Sequence, residues 1–65
     1  MRNKNQYMAL MSEVIKKQAL LIGPEVAIFK ARGVGGITVD DNGEVTNIEG
    51  DASLLLQNLV DEYVS

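Results

Sequence analysis

Few of the 65 residues have side chains suited to catalysis. The chain contains no histidine and no cysteine, which removes the commonest general base, the commonest metal ligand and the thiol nucleophile. Ser12, Ser53 and Ser65 have no recognisable base to activate them. The glycine-rich stretch 33–36 follows a predicted helix and precedes a predicted strand, which reverses the order found in nucleotide-binding loops. We therefore expect a non-enzymatic protein with no catalytic residue, no cofactor and no small-molecule substrate.

Oxygen-bearing side chains are concentrated between residues 38 and 49. Counted from the first of these residues, positions 1, 3, 5, 6 and 12 are Thr38, Asp40, Asn42, Gly43 and Glu49. This spacing resembles the twelve-residue calcium loop of EF-hand proteins, although Thr38 stands where that loop has its first ligating aspartate. The resemblance covers these twelve residues alone, and a glycine-rich stretch replaces the entering helix. It implies a weak calcium-binding loop at 38–49 as one alternative function, without an assigned metal ligand.

All six basic residues lie within the first 33 positions. That part contains two acidic residues and has a net charge of +4, whereas the remainder has seven acidic residues, no basic residue and a net charge of −7. A basic half is typical of nucleic-acid-binding regulators, so this is the main alternative function. The same asymmetry also fits self-complementary association or two solvated faces of opposite sign. The nucleic-acid contacts would be Lys16, Lys17, Lys30 and Arg32.

Three helical segments must position these groups. Residues 5–22 place eight apolar side chains within about 160° of the helix circumference. Gly23-Pro24 is expected to end this helix and to begin a short one at about 24–32. The last helix covers about 51–64, with Asp51 as its N-cap and seven apolar residues within about 180°.

A β-hairpin is predicted at about 37–48. Short alternating segments flank the turn Asp40-Asp41-Asn42-Gly43. A two-residue Asn-Gly turn would pair Ile37 with Ile48. A type I turn with Gly43 in the left-handed conformation would pair Val39 with Val45, and we favour this register because it aligns two β-branched residues.

This order of elements predicts a small single α+β domain over residues 1–65, arranged α-α-β-β-α, with one antiparallel hairpin packed on amphipathic helices. The chain stops at Ser65 without a capping residue, which fits either a fragment of a longer polypeptide or a frayed helix end. Both long helices have apolar arcs wider than the ~100° needed to cover one core. A chain of this size without disulfides gains stability from a partner, so we expect a homodimer or a complex with another protein.

The function predicted from these features is a cytoplasmic, regulatory module for protein–protein interaction or homodimerisation. No apolar run approaches the ~18–20 residues of a membrane span, so we expect no contact with membrane. The expected interaction surface lies on the apolar arcs of the two long helices. It consists of Tyr7, Met8, Met11, Ile15, Leu55, Leu59 and Tyr63.

Overall fold

Between residues 3 and 64, three helices and one antiparallel hairpin follow one another in the predicted order. The structure, a computed structural model, describes residues 3–64. Its elements are α1 (Lys4–Ile22), α2 (Pro24–Arg32), β1 (Ile37–Val39), β2 (Val45–Ile48) and α3 (Ala52–Val64). The α+β fold class and the order α-α-β-β-α are thus confirmed.

Local signals in the sequence account for the helix ends. Asn3 and Gln6 form a capping box at the start of α1, in which each side chain accepts a hydrogen bond from the other's main-chain N–H. Gly23 has φ +94° and donates its N–H to the carbonyl of Ala19, which ends α1. Asp51 accepts a hydrogen bond from the N–H of Leu54 at the start of α3, as an N-cap does.

The hairpin contains both of the registers that the sequence left open. Val39 pairs with Val45 beside the turn, whereas Ile37 pairs with Ile48 at the open end. A bulge between the two pairs places one extra residue in β2 and so shifts the register. Gly43 has φ +84° and donates its N–H to the Asp40 carbonyl, as expected for a type I turn closed by a left-handed glycine.

The hydrophobic core lies between the hairpin and the helices. The first and last residues of each strand point into the core, and α1 and α3 each contribute one stripe of apolar residues. Ser12 is buried among these apolar residues and joins α1 to β2. The core cluster consists of Met11, Ile15, Ala31, Val34, Ile37, Val39, Val45, Ile48, Leu55 and Leu59.

Candidate functional site

The residues predicted to form the interaction surface lie mostly inside the protein. Met11, Ile15 and Leu59 have no exposed surface, and Leu55 retains 6%. These four are core residues, which corrects their assignment as contact residues, because side chains buried to this extent offer a partner almost no surface. The other three are half-buried and pack against the core; they are Tyr7, Met8 and Tyr63.

Tyr63 has a structural role that accounts for its partial burial. Its hydroxyl donates a 2.5 Å hydrogen bond to the main-chain carbonyl of Ala27 and so joins the end of α3 to α2. Burial raises the pKa of the Tyr63 phenol, and the nearby Glu62 carboxylate raises it further. The neutral phenol is therefore the form that holds these two helices together.

Exposed apolar side chains lie where α1 meets α2 and, on α3, at Leu54, Val60 and Val64. Leu20 is 87% exposed, Leu21 is 76% exposed and Phe29 is 79% exposed, and the remaining two members of the group are exposed to a lesser degree. This group, which we call the α1–α2 corner, consists of Leu20, Leu21, Ile22, Val26 and Phe29. Three of its members are consecutive residues of the last turn of α1, so apolar side chains face solvent over much of the circumference of that turn.

Phe29 forms a ridge between two open grooves on the outer face of α2. The larger groove, about 630 Å³, lies toward the end of α3 and is lined by Val26, Phe29, Lys30, Arg32, Gly33 and Glu62. The smaller groove, about 380 Å³, lies toward the hairpin turn and is lined by Glu25, Ile28, Phe29, Arg32 and Asp41. This face therefore has both a ridge and grooves, and an apolar ridge of another helix can pack into such grooves.

The four basic residues predicted to contact nucleic acid do not form one free cationic patch. Lys16 forms an ion pair with Glu44, and its hydrogen bond lowers the pKa of that carboxyl below its ordinary value. Arg32 donates to the Val39 carbonyl and to the Asp41 carboxylate, the latter at 2.9 Å. Each of these cations thus has an acidic group at its side. Lys17 and Lys30 remain without an ion pair among residues 3–64.

The acidic turn is organised as a hairpin turn rather than as a calcium loop. The Asp40 carboxylate accepts hydrogen bonds from the main-chain N–H groups of Asn42 and Glu44, at 2.9 Å each. Asp41 is held by Arg32, and Glu44 by Lys16. Within the described part of the chain, no group of three or more acidic side chains is placed to hold a metal ion.

Comparison with protein-family models, curated proteins and solved structures gives no match for this chain. None of the helices between residues 3 and 64 combines the length and the hydrophobicity needed to cross a lipid bilayer.

Sequence reasoning overlooked Val26 and Phe29 as surface residues, although α2 contains a signal for them. Ala27 and Ala31 are spaced by one helical turn and are fully buried, so α2 turns its smallest side chains toward the rest of the protein. Phe29 lies two residues from each of these alanines and therefore points roughly the opposite way. An alanine stripe on a short helix thus indicates that the large residue between the alanines faces outward.

Proposed function

We propose that this protein is a non-enzymatic, cytoplasmic, regulatory module that binds a protein partner through the α1–α2 corner. One observation carries the proposal: five large apolar side chains between residues 20 and 29 are exposed together. Summed over the five, side chains exposed to this degree present on the order of 500 Å² of apolar surface, within the about 300–600 Å² of the largest patch on an ordinary monomer. The largest patch on a monomer is often functional, which supports a binding role for this surface.

Burial of this area would be opposed by a cost of similar size. Burial of about 500 Å² at about 25 cal/mol per Å² yields a gross gain of about 12 kcal/mol. Loss of translational and rotational freedom on association costs about 4–15 kcal/mol, which is of similar size. Because the two quantities are comparable, the affinity depends on how well the partner fits this surface and not on its area alone.

The test is photo-crosslinking at position 29. A benzophenone amino acid replaces Phe29 in cells that naturally produce the chain, and irradiation then joins this position to whatever lies against it. We expect a discrete covalent adduct that disappears when Val26→Asp is added, because the aspartate disrupts the same surface. The identity of the adduct is read by mass spectrometry, with self and non-self partners distinguished.

Leu54 provides the matched control, since it is an exposed apolar residue of α3 outside the α1–α2 corner. The same amino acid at position 54 should give no discrete adduct. Absence of an adduct at position 29, or equal adducts at positions 29 and 54, would refute the proposal.

A further inference from the structure

We infer that Asn42 is a modification site, at which the side-chain amide is lost after attack by the main-chain nitrogen of Gly43. The product is an aspartyl or an isoaspartyl residue, and water is the only reactant that the overall step consumes. The inference is independent of the α1–α2 corner, because it concerns the hairpin turn 40–43.

The chemistry follows from the two neighbouring residues. The Gly43 nitrogen loses its proton to solvent and forms a bond to the side-chain carbonyl carbon of Asn42. The C–N bond of the side-chain amide breaks, and its nitrogen takes up a proton and leaves as ammonia. Water then opens the cyclic imide at either carbonyl carbon. Opening at one of them gives aspartate, and opening at the other gives isoaspartate, in which the main chain runs through the former side chain.

Asn42 is the one asparagine of the chain that precedes a glycine. A side chain on the following residue would crowd the attacking nitrogen and restrict its backbone, and glycine has none. Asn42 is exposed, and its side-chain amide forms no hydrogen bond with another residue between 3 and 64, so the carbonyl carbon is accessible. The other asparagines precede larger residues and serve as internal references; they are Asn3, Asn5, Asn47 and Asn58.

The folded turn opposes this reaction. The proton that the Gly43 nitrogen must lose is donated to the main-chain carbonyl of Asp40, at 3.2 Å. The Asp40 carboxylate restrains the turn further, since it accepts 2.9 Å hydrogen bonds from the N–H groups of Asn42 and Glu44. Gly43 also packs on α1, where a Cβ would lie 3.3 Å from Cγ2 of Ile15. The reaction therefore proceeds from an open form of the turn, and Asp40 limits the population of that form.

The two products affect the turn differently. The isoaspartyl product has one additional methylene group in the main chain before Gly43, which displaces the N–H groups of Gly43 and Glu44 from their acceptors on Asp40. The aspartyl product keeps the main chain and adds one negative charge beside Asp40 and Asp41. Isoaspartate at position 42 should therefore destabilise the hairpin more than aspartate.

The test is incubation of the full chain at neutral pH, followed by peptide mapping with mass spectrometry. We expect conversion at Asn42 in advance of the four reference asparagines, in the folded chain and in urea. Conversion should be at least about tenfold slower in the folded chain than in urea, because the turn must open first. Conversion at Asn42 that is no faster than at the reference asparagines would overturn the assigned site.

Asp40→Ala tests the restraint. It removes the acceptor of two main-chain N–H groups and should raise the folded rate, relative to the rate in urea, by about tenfold. Asp41→Ala is the matched control, because it makes the same change in charge at a carboxylate that accepts from Arg32 and not from the turn. Division by each variant's rate in urea removes the direct effect of charge on the amide nitrogen. Circular dichroism verifies that both variants keep the fold.

Hydrogen exchange of the Gly43 N–H provides a second readout, since it requires the same opening of the turn. Asp40→Ala should increase this exchange and the conversion of Asn42 by the same factor. Equal ratios of folded to urea rates in Asp40→Ala and Asp41→Ala would overturn the restraint by Asp40.

The effect of the modification is measured on the two products after chromatographic separation. The aspartyl fraction should unfold at the same denaturant concentration as the variant Asn42→Asp, and the isoaspartyl fraction at a lower one. If the two fractions unfold together, the turn accommodates the longer main chain and the inferred damage to the hairpin is wrong.

Discussion

Replacement of Ser12 by alanine should destabilise the protein more than its small size suggests. Ser12 is 5% exposed, and its hydroxyl donates to the Met8 carbonyl at 2.9 Å. The same oxygen accepts a 2.8 Å hydrogen bond from the main-chain N–H of Val45. This contact joins α1 to β2 beside the bulge, and removal of the hydroxyl leaves the N–H of Val45 buried without an acceptor.

The magnitude follows from two opposing effects. An unsatisfied buried donor costs about 1–3 kcal/mol. Alanine is the better helix former and returns up to about 0.5 kcal/mol. The free energy of unfolding should therefore fall by about 1–2 kcal/mol. For a domain of this size each kcal/mol lowers the melting temperature by about 4–8 °C, so we expect a decrease of about 5–15 °C.

The assay is denaturant unfolding followed by circular dichroism, at a protein concentration where the chain is monomeric. Amide hydrogen exchange of Val45 provides a local readout and should become faster in the variant. Ser53→Ala is the matched control, because Ser53 is exposed at the start of α3, and it should change stability by less than about 0.5 kcal/mol. If Ser12→Ala has no larger effect than Ser53→Ala, the hydroxyl is not an important link between α1 and β2.

Two further changes test the packing of the loop and of the helix ends. Gly36→Ala should destabilise the fold by at least about 2 kcal/mol, because Gly36 has φ +91° and a Cβ there would lie 2.7 Å from the Glu49 carbonyl oxygen. Gly35→Ala meets no atom within 4 Å and should be neutral or stabilising, so equal effects of the two changes in chemical denaturation would contradict this account. Tyr63→Phe should cost about 0.5–1.5 kcal/mol through loss of the hydrogen bond to Ala27. Since the folded state raises the pKa of Tyr63, its contribution is complete below the ordinary value near 10 and is lost as the pH rises through the folded value. Unfolding measured against pH should therefore show a steeper alkaline loss of stability in the wild type than in Tyr63→Phe, and parallel curves would refute the assignment.

The helix and strand limits could be predicted because they depend on local chemistry. The residues at these limits act through their own backbone preferences or through partners only a few residues away, so a single sequence is enough to predict their effect. They are Gly23, Pro24, Gly43 and Asp51. The hairpin register was less predictable. Two turn types were consistent with the residues. Because of the bulge, the pair Val39–Val45 follows one register and the pair Ile37–Ile48 follows the other.

The burial of Ser12 depends on contacts between distant parts of the chain and could not be predicted from helical periodicity. On a helical projection of residues 5–22, Ser12 lies outside the apolar arc, beside Glu13, Lys16 and Lys17, where a solvated position is expected. The structure instead brings β2 against that edge of the helix, where the N–H of Val45 donates a hydrogen bond to the Ser12 hydroxyl. A hydroxyl at the border of an apolar arc is therefore ambiguous until the donor that it meets, 33 residues further along this chain, is known.

The width of the helical arcs predicted exposed apolar surface on α1 and α3, but most of the α1–α2 corner lies outside those arcs. The arcs of α1 and α3 are used largely within the molecule, since the two helices meet each other, α1 also packs on β2, and both helices contribute residues to the core cluster. The residues that remain exposed follow from the way α1 and α2 pack together. At 1.5 Å per residue the 19 residues of α1 extend about 28 Å, whereas the nine residues of α2 extend about 14 Å and turn their alanines inward. Ala27 and Ala31 occupy the inner face of this short helix. Phe29, the largest side chain of α2, is left on the outer face and is exposed.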